Sequence, residues 1–265
     1  DGEGVADTGD KVTITGENFG TDPSDISVSF NGTPAEFELV DESTIVATTP
    51  ADYQTGSVTV TIHGYTMTGG AMFNPNSKGD VTVLYLQNYK QPFAKANDES
   101  WKNGEWWTPA VWNQNAASFN AKGNTTVSGM QYKSEEGLTL AFQNGWDKEA
   151  YTDGKMWQVA TLRPGRYRLE VTYAYTLVVT DAGNFISVLI AKGDSESDIP
   201  NVSDLEQLNG VYVAYDKMGT ANDSGTLVTP SFEVTETTDV VIGFLTSLAK
   251  GNSYFKVTEL KLILE

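Results

Sequence analysis

Short stretches in which apolar and polar residues alternate, each ended by turn-forming residues, recur along almost the whole chain. Residues 12–15, 26–30 and 167–173 are examples. Because successive side chains of a β-strand point to opposite faces, this alternation is typical of strands with one buried face. Only residues 203–206 indicate a helix, a single turn that fits a capping box. The sequence therefore predicts an all-β protein.

The first 75 residues predict a small antiparallel sandwich, since turns such as Asn31-Gly32, a strong hairpin signal, separate their strand-like runs. This region resembles an IPT/TIG domain. The segments that carry the resemblance are Gly9-Asp-Lys-Val-Thr-Ile-Thr-Gly-Glu-Asn-Phe-Gly20, Val28-Ser-Phe-Asn-Gly32, 45–50 and 56–60. The resemblance implies an immunoglobulin-like β-sandwich that serves as a spacer. The strand that normally precedes the first glycine turn is short or absent here.

Charge separates the first 75 residues from the rest of the chain. They contain one basic residue, Lys11, and twelve acidic residues, whereas the remainder contains 16 basic and 23 acidic residues. The segment 74–80, Asn-Pro-Asn-Ser-Lys-Gly-Asp, is rich in residues that break regular structure. We therefore expect a hinge there, with one domain over residues 1–75 and a second over residues 80–265.

Strand-like runs continue through the second region, and about eight to ten of them predict a two-sheet jelly roll. Residues 157–170, Trp-Gln-Val-Ala-Thr-Leu-Arg-Pro-Gly-Arg-Tyr-Arg-Leu-Glu, and 255–264, Phe-Lys-Val-Thr-Glu-Leu-Lys-Leu-Ile-Leu, resemble carbohydrate-binding-module-like jelly rolls. Such modules form the C-terminal domain of the surface glycan-binding lipoproteins of Bacteroidetes polysaccharide-utilisation systems. The resemblance implies an extracellular, cell-surface protein with an outer-membrane lipid anchor outside this chain. It also implies capture of glycan for an outer-membrane glycan transporter complex.

Composition excludes several classes of function. The chain has no cysteine, which excludes disulfides, thiolate metal sites and cysteine nucleophiles. Its net charge of −18 repels phosphate backbones and anionic membranes, so we expect no nucleic-acid partner. No apolar run approaches the roughly 20 residues of a spanning helix. The chain starts at Asp1 in acidic, glycine-rich sequence, as a mature or trimmed protein would.

All six tryptophans fall between residues 101 and 157. Residues 100–115 mix indole rings with glycine, proline and amides and show no stable period, which indicates a loop. Sugar rings present a C–H face that aromatic rings cover and hydroxyls that amides and carboxylates bind. An exposed patch of several indoles usually marks a binding surface. The alternative is a loop that packs onto its own sandwich.

The predicted glycan-binding set combines these indoles with neighbouring polar residues: Trp106, Trp107, Trp112, Asn113, Gln114, Trp146 and Asp147. Because Trp106 and Trp107 are adjacent, an extended backbone turns them to opposite sides, so at most one faces the ligand. Trp157 shares a strand face with Val159 and is predicted to lie in the core.

An enzyme would need catalytic residues that the sequence does not indicate. The single histidine, His63, ends a strand-like run without a plausible partner, which disfavours a Ser-His-Asp triad. Glycoside hydrolysis needs two carboxylates roughly 5–9.5 Å apart. Glu105, Asp147 and Glu149 lie near the aromatics, but no motif isolates a pair. We therefore predict no catalytic residues.

The run Asp194-Ser-Glu-Ser-Asp198 spaces three carboxylates two residues apart, as calcium loops do. Ile199 stands where an EF-hand has glycine, so we predict a solvated acidic loop, no metal ligands and no cofactor. The jelly-roll resemblance leaves a structural calcium elsewhere open.

Two functions follow from these observations. The leading hypothesis is non-catalytic binding of a polysaccharide or oligosaccharide through exposed tryptophans of the C-terminal sandwich. The alternative is a structural or adhesive surface module, with the tryptophans in the core and the acidic first domain bound to a protein partner.

Overall fold

A computed structural model describes residues 4–99, 105–119, 128–144, 150–178, 183–219, 223–249 and 253–265. The chain divides into two compact units, Asp1–Leu84 and Tyr85–Glu265. This division falls later along the chain than the hinge expected at residues 74–80. Strands dominate the described residues of both units, so the predicted all-β class, an immunoglobulin-like sandwich followed by a larger β-sandwich, is confirmed.

Unit 1 is built from short strands, of which β1 to β8 form two sheets. The strands are β1 (Gly4–Val5), β2 (Lys11–Thr15), β3 (Ile26–Phe30), β4 (Thr33–Ala35), β5 (Phe37–Asp41), β6 (Thr44–Thr48), β7 (Gly56–Ile62), β8 (Tyr65–Phe73) and β9 (Gly79–Asp80). One sheet has the order β1-β8-β7-β3-β4 and the other the order β2-β6-β5. A 3₁₀ turn at Pro23–Asp25 precedes β3, and the one-turn helix α1 (Thr82–Tyr85) spans the division.

The core of unit 1 lies between these two sheets. Phe30 and Tyr53 are fully buried, with ring centroids 5.5 Å apart in an edge-to-face arrangement. The Tyr53 hydroxyl donates hydrogen bonds to the carbonyl oxygens of Ala6 at 2.5 Å and Phe73 at 3.2 Å. Because Ala6 follows β1 and Phe73 ends β8, these two hydrogen bonds connect the ends of β1 and β8 through the buried Tyr53 side chain. The expectation of a very short first strand is met, since β1 has two residues.

Unit 2 is a larger sandwich with longer strands. The strands are β10 (Trp106–Trp107), β11 (Asn113–Gln114), β12 (Ser128–Lys133), β13 (Gly137–Asn144), β14 (Tyr151–Leu162), β15 (Gly165–Tyr173), β16 (Phe185–Lys192), β17 (Val213–Lys217), β18 (Gly225–Val228), β19 (Phe232–Val234), β20 (Thr238–Leu248) and β21 (Ser253–Leu264). The first sheet has the order β10-β12-β13-β21-β15, and β18 and β19 both pair with β15. The second has the order β11-β14-β20-β16-β17.

Alternation along the strands of the first sheet decides which side chains enter the core between the sheets. In β15, Tyr167, Leu169 and Val171 are fully buried, and the residues between them are polar. Arg168, one of these polar residues, binds the carboxylates of Glu170 and Glu265 at the sheet surface. Arg168 therefore lies on the outer face of this sheet, opposite to the core.

The outer face of the second sheet is covered by residues 193–212. Trp157 packs there against Leu189, Ile199 and Leu205 and is 7% exposed, so its predicted core position is confirmed. The covering segment contains a 3₁₀ turn at Glu196–Asp198 and helix α3 (Leu205–Leu208). The remaining helix of unit 2, α2 (Ala116–Phe119), is also a single turn.

The capping box forms at a different place from the one expected. Asp204 precedes α3 without a side-chain capping bond, so the box predicted at residues 203–206 is wrong. The reciprocal pair forms instead between Ser195 and Asp198. Within the described residues, no helix is both long enough and apolar enough to cross a membrane.

Candidate functional site

Two of the indoles in the predicted glycan-binding set are buried. Trp106 is 1% exposed and Trp112 is 5% exposed. The Trp112 indole N–H donates to the carbonyl oxygen of Asn88 at 3.0 Å, and its ring lies 5.7 Å from that of Phe244. An open ring face at Trp112 is therefore contradicted, whereas a buried Trp106 beside a half-buried Trp107 agrees with the expectation that at most one of these two rings faces outward. The physical reason is that this segment forms edge strands β10 and β11, one on each sheet, and the intervening residues close the side of the sandwich.

Trp107 and its polar neighbours also do not form one open surface. Trp107 is half-buried, and the Lys95 ammonium lies 4.8 Å from its ring centroid. Asn113 is exposed. Gln114 instead donates to the hydroxyl of Ser128 at 2.9 Å. The Trp107 indole N–H and the Gln114 amide oxygen are buried without hydrogen-bond partners among the described residues.

The second part of the predicted set cannot be placed. Trp146 and Asp147 belong to the connection between β13 and β14 and lie outside the described residues, as does Trp101. The predicted seven-residue set is thus divided into two buried indoles, three residues at the sandwich edge and two residues without a described position.

The histidine and the acidic loop each have local polar partners. His63 is exposed, and its Nδ1 lies 3.5 Å from a carboxylate oxygen of Asp25, a partner that the sequence did not indicate. The Asp198 carboxylate accepts bonds from Ser195 and from the backbone N–H of Asp194, and the Ser195 hydroxyl is the main cause of its lowered pKa. Within the described part of the chain, no group of three or more acidic or histidine side chains is arranged to hold a metal ion.

The outer face of the first sheet carries a row of side chains that the sequence did not single out. Leu177 and Tyr254 exchange backbone hydrogen bonds of 2.9 and 2.7 Å, and Gln143 lies directly opposite Tyr254 on β13. Directly opposed residues of antiparallel strands share a face. Their neighbours Phe142 and Phe255 point into the core, so this row points out of the sandwich.

The next row along the same face contains a buried ion pair. Lys256 lies opposite Ala141, and Ala141 lies opposite Gly129, so small residues flank the long lysine side chain. The Lys256 ammonium pairs with the Glu136 carboxylate and lies 5.4 Å from the centroid of the Tyr254 ring. A cation over one ring face holds the ring in place and leaves the opposite face turned away from Lys256.

We refer to Glu136, Gln143, Leu177, Tyr254 and Lys256 as the Tyr254 face. Gln143, Glu136 and Tyr254 are half-buried, and Leu177 is 42% exposed. The face thus combines an aromatic ring, an aliphatic side chain, an amide that both donates and accepts, and a charged pair. The sequence does not single out this face, because the twelve tyrosines are spread along the chain whereas the six tryptophans are clustered. The available signal was the alternation of β21, which places Tyr254 and Lys256 opposite to the buried Phe255.

The fold defines a protein of two β-sandwich units. Comparison with protein families identifies its parts: residues 3–77 match the IPT/TIG domain, and residues 87–243 match the domain of unknown function DUF5013. The chain belongs to the DUF5013 family, with an IPT/TIG domain preceding the matched region. The architecture expected from sequence, a TIG domain followed by a β-sandwich module, is confirmed.

Several solved structures resemble the chain. The module TmCBM61, solved with β-1,4-galactotriose, has 12% identity and a TM-score of 0.34 and covers 68% of this chain and 100% of its own. A putative glycoside hydrolase from Bacteroides thetaiotaomicron has 11% identity and a TM-score of 0.42, with 87% and 83% covered. The C-terminal family 22 carbohydrate-binding module of Clostridium thermocellum Xyn10B has 10% identity and a TM-score of 0.34, with 68% and 95% covered. A search of curated proteins finds no match.

Proposed function

We propose that this chain is a non-catalytic polysaccharide-binding protein and that the Tyr254 face of unit 2 is its binding site. The observation that carries the proposal is the arrangement of Tyr254 between Gln143 and Leu177, with the Lys256 ammonium behind its ring. A pyranose ring placed on the Tyr254 ring face opposite Lys256 covers apolar area and brings its hydroxyls beside the Gln143 amide. Sugars need this combination of an apolar platform and polar edge groups.

The Lys256–Glu136 pair gives this surface rigidity. Both side chains are largely buried, and their charges are matched at the floor of the face. Because the ammonium is fixed by Glu136 and contacts the Tyr254 ring, the ring is oriented before a ligand arrives. A pre-oriented aromatic ring loses little conformational entropy on binding, which favours affinity.

Trp146 and Asp147 remain part of the proposal as sequence-based predictions. Asn144, the last residue of β13, pairs with Ser253, which directly precedes Tyr254. The connection that contains Trp146 and Asp147 begins after Asn144. This connectivity supports including both residues in the test.

At the level of the cell, we propose that the protein captures glycan at an outer surface for uptake. Unit 1 then serves as a spacer, a lipid outside this chain anchors it in the outer membrane, and the glycan passes to a transporter complex. The support for this context is the order of an IPT/TIG domain before a β-sandwich module, which resembles surface glycan-binding lipoproteins.

Affinity electrophoresis of the full chain on a panel of neutral and acidic polysaccharides tests the site. We expect at least one glycan to retard the protein. Tyr254→Ala abolishes the retardation, whereas Tyr132→Ala, a change at an exposed tyrosine near the far end of β12, preserves it. Trp146→Ala weakens the retardation. The absence of retardation on every glycan, or equal retardation of Tyr254→Ala and the unaltered chain, refutes the proposal.

The alternative, a structural or adhesive module, is favoured by the burial of Trp106, Trp112 and Trp157. In that case the indoles stabilise the sandwich, and recognition lies elsewhere on the chain. A chain that binds no glycan, but whose unit 1 binds a protein segment, supports this second function.

A further inference from the structure

Unit 1 contains an open cleft of about 490 Å³ between its two sheets, lined by apolar and polar surface in nearly equal parts. Val12 and Ile14 of β2 form one wall, and Met67 and Met72 of β8 form the other. The nearly buried Val58 and Val60 of β7 also line the cleft. β2 contributes the consecutive residues 12–15 to this lining, so its backbone as well as its side chains borders the cleft.

Two features of the described residues shape this cleft, an unpaired edge of β2 and small residues on β8. Among the described residues, β2 pairs only with β6, so its other edge has no strand beside it. Within residues 4–99, β1 pairs with β8 at Met72 and Phe73. Gly69 and Gly70 of β8 also line the cleft and contribute no side chain to fill it.

We propose that this cleft binds an extended segment of a partner protein, which pairs with the free edge of β2. An unpaired strand edge presents backbone donors and acceptors that a further strand satisfies. The five residues of β2 match an extended segment of about five residues, or roughly 17 Å. Alternate side chains of that segment enter the cleft, and the others face solvent.

Charge specifies the chemistry of the partner segment. Residues 1–75 contain twelve acidic residues and only Lys11 as a base, and the Lys11 ammonium binds the Thr48 hydroxyl at 2.6 Å. Glu17 is exposed at the rim of the cleft. The occupant is therefore a segment in which apolar residues alternate with lysine or arginine, because opposite charge favours encounter and like charge disfavours wrong partners.

Fluorescence anisotropy of three labelled seven-residue peptides, in which lysine alternates with valine, leucine or phenylalanine, tests the proposal on the full chain. We expect at least one peptide to bind. The same peptide with glutamate in place of lysine, or with a central proline that removes a backbone donor, fails to bind.

Gly69→Val provides a variant that blocks the cleft without disturbing the fold. A Cβ atom at Gly69 meets only the carbonyl oxygen of Val58, at an ordinary 3.5 Å, and valine suits a strand. Because the valine side chain fills the cleft, Gly69→Val lowers the affinity for the peptide at least about tenfold. Glu17→Lys weakens it about threefold, whereas the same charge change at Glu38, on the opposite edge strand β5, has little effect.

Three results overturn the proposal. The first is that none of the peptides binds at millimolar concentration. The second is that Gly69→Val binds the peptide as tightly as the unaltered chain. The third is a concentration-dependent dimer that Gly69→Val abolishes while no peptide binds, because the occupant is then a second copy of this chain. None of these results depends on glycan binding by unit 2, so the two proposals fail separately.

Discussion

The carboxylate of Glu136, in the turn between β12 and β13, pairs with the ammonium of Lys256 on β21. The side chain of Lys256 is 6% exposed and that of Glu136 is 20% exposed, so the two charges are held largely out of water. Removing one partner of such a pair leaves an uncompensated buried charge. Each partner thus depends on the other, which makes the pair a test of how the Tyr254 face is held.

Replacement of Glu136 by glutamine is expected to destabilise unit 2 by about 3–5 kcal/mol, because the Lys256 charge then lacks its partner. The double variant Glu136→Leu with Lys256→Met is expected to lose clearly less stability than the single variant, since no charge remains buried. Urea denaturation followed by tryptophan fluorescence measures both, as all tryptophans lie in unit 2. If the single variant unfolds at the same urea concentration as the unaltered chain, the pair does not stabilise the fold.

Replacement of Trp112 by alanine is expected to destabilise unit 2 by about 3–5 kcal/mol, because it removes a buried indole between the sheets. The loss includes the hydrogen bond to Asn88 and the packing against Phe244. Denaturant titration measures the change, and Tyr132→Ala at an exposed ring serves as the control. A Trp112→Ala chain with unchanged stability and lost glycan binding would restore the indole to the binding site.

The strands of this protein follow from sequence because each carries its own alternation. In β15 the period of two correctly separates buried Leu169 from surface Arg168, and the Asn31-Gly32 turn correctly joins β3 to β4. Local turn patterns were less decisive. Ser195 and Asp198 form the capping pair rather than the similar pattern at residues 203–206, because the short pattern alone does not say which turn the fold closes.

The binding surface could not be found in this way because its parts are far apart in sequence. Gln143, Leu177 and Tyr254 become neighbours only when three chain segments pair. The burial of Trp112 likewise depends on Asn88 and Phe244, which no local period identifies. Strands β10 and β11 have two residues each, too few for alternation to indicate them.

Acid is expected to loosen the segment that covers Trp157. The Ser195 hydroxyl, followed by the backbone N–H groups of Asp194 and Ser195, lowers the pKa of Asp198 below its usual value. A carboxylate with a lowered folded-state pKa stabilises the fold above its unfolded pKa of about 4, and this contribution is lost as pH falls through the folded pKa. The protection factor of the Ile199 amide, which compares its exchange with that of an unstructured peptide at the same pH, is expected to fall below pH 4. In Asp198→Asn this protection factor is expected to be low already at neutral pH and to show no further fall.

Alkali is expected to destabilise unit 1 through Tyr53. Burial, followed by the nearby Asp7 and Asp10 carboxylates, raises the pKa of the Tyr53 phenol to about 12. Because the folded-state pKa lies above the unfolded value of about 10, the contribution of the protonated phenol to the free energy of unfolding is fully present below pH 10. It is lost as pH rises from 10 through 12, by about 2–3 kcal/mol in total.

The physical reason is that ionisation places a buried negative charge beside the carbonyl oxygens of Ala6 and Phe73. The phenolate has no proton left to donate to them. Hydrogen exchange at the amide of Ala6, which donates to Phe73, measures the loss within unit 1. In Tyr53→Phe the bonds to Ala6 and Phe73 are absent at every pH, so this variant is expected to be less stable at neutral pH and to show a flatter profile between pH 10 and 12. A Tyr53→Phe profile as steep as that of the unaltered chain would assign the alkaline transition to another group.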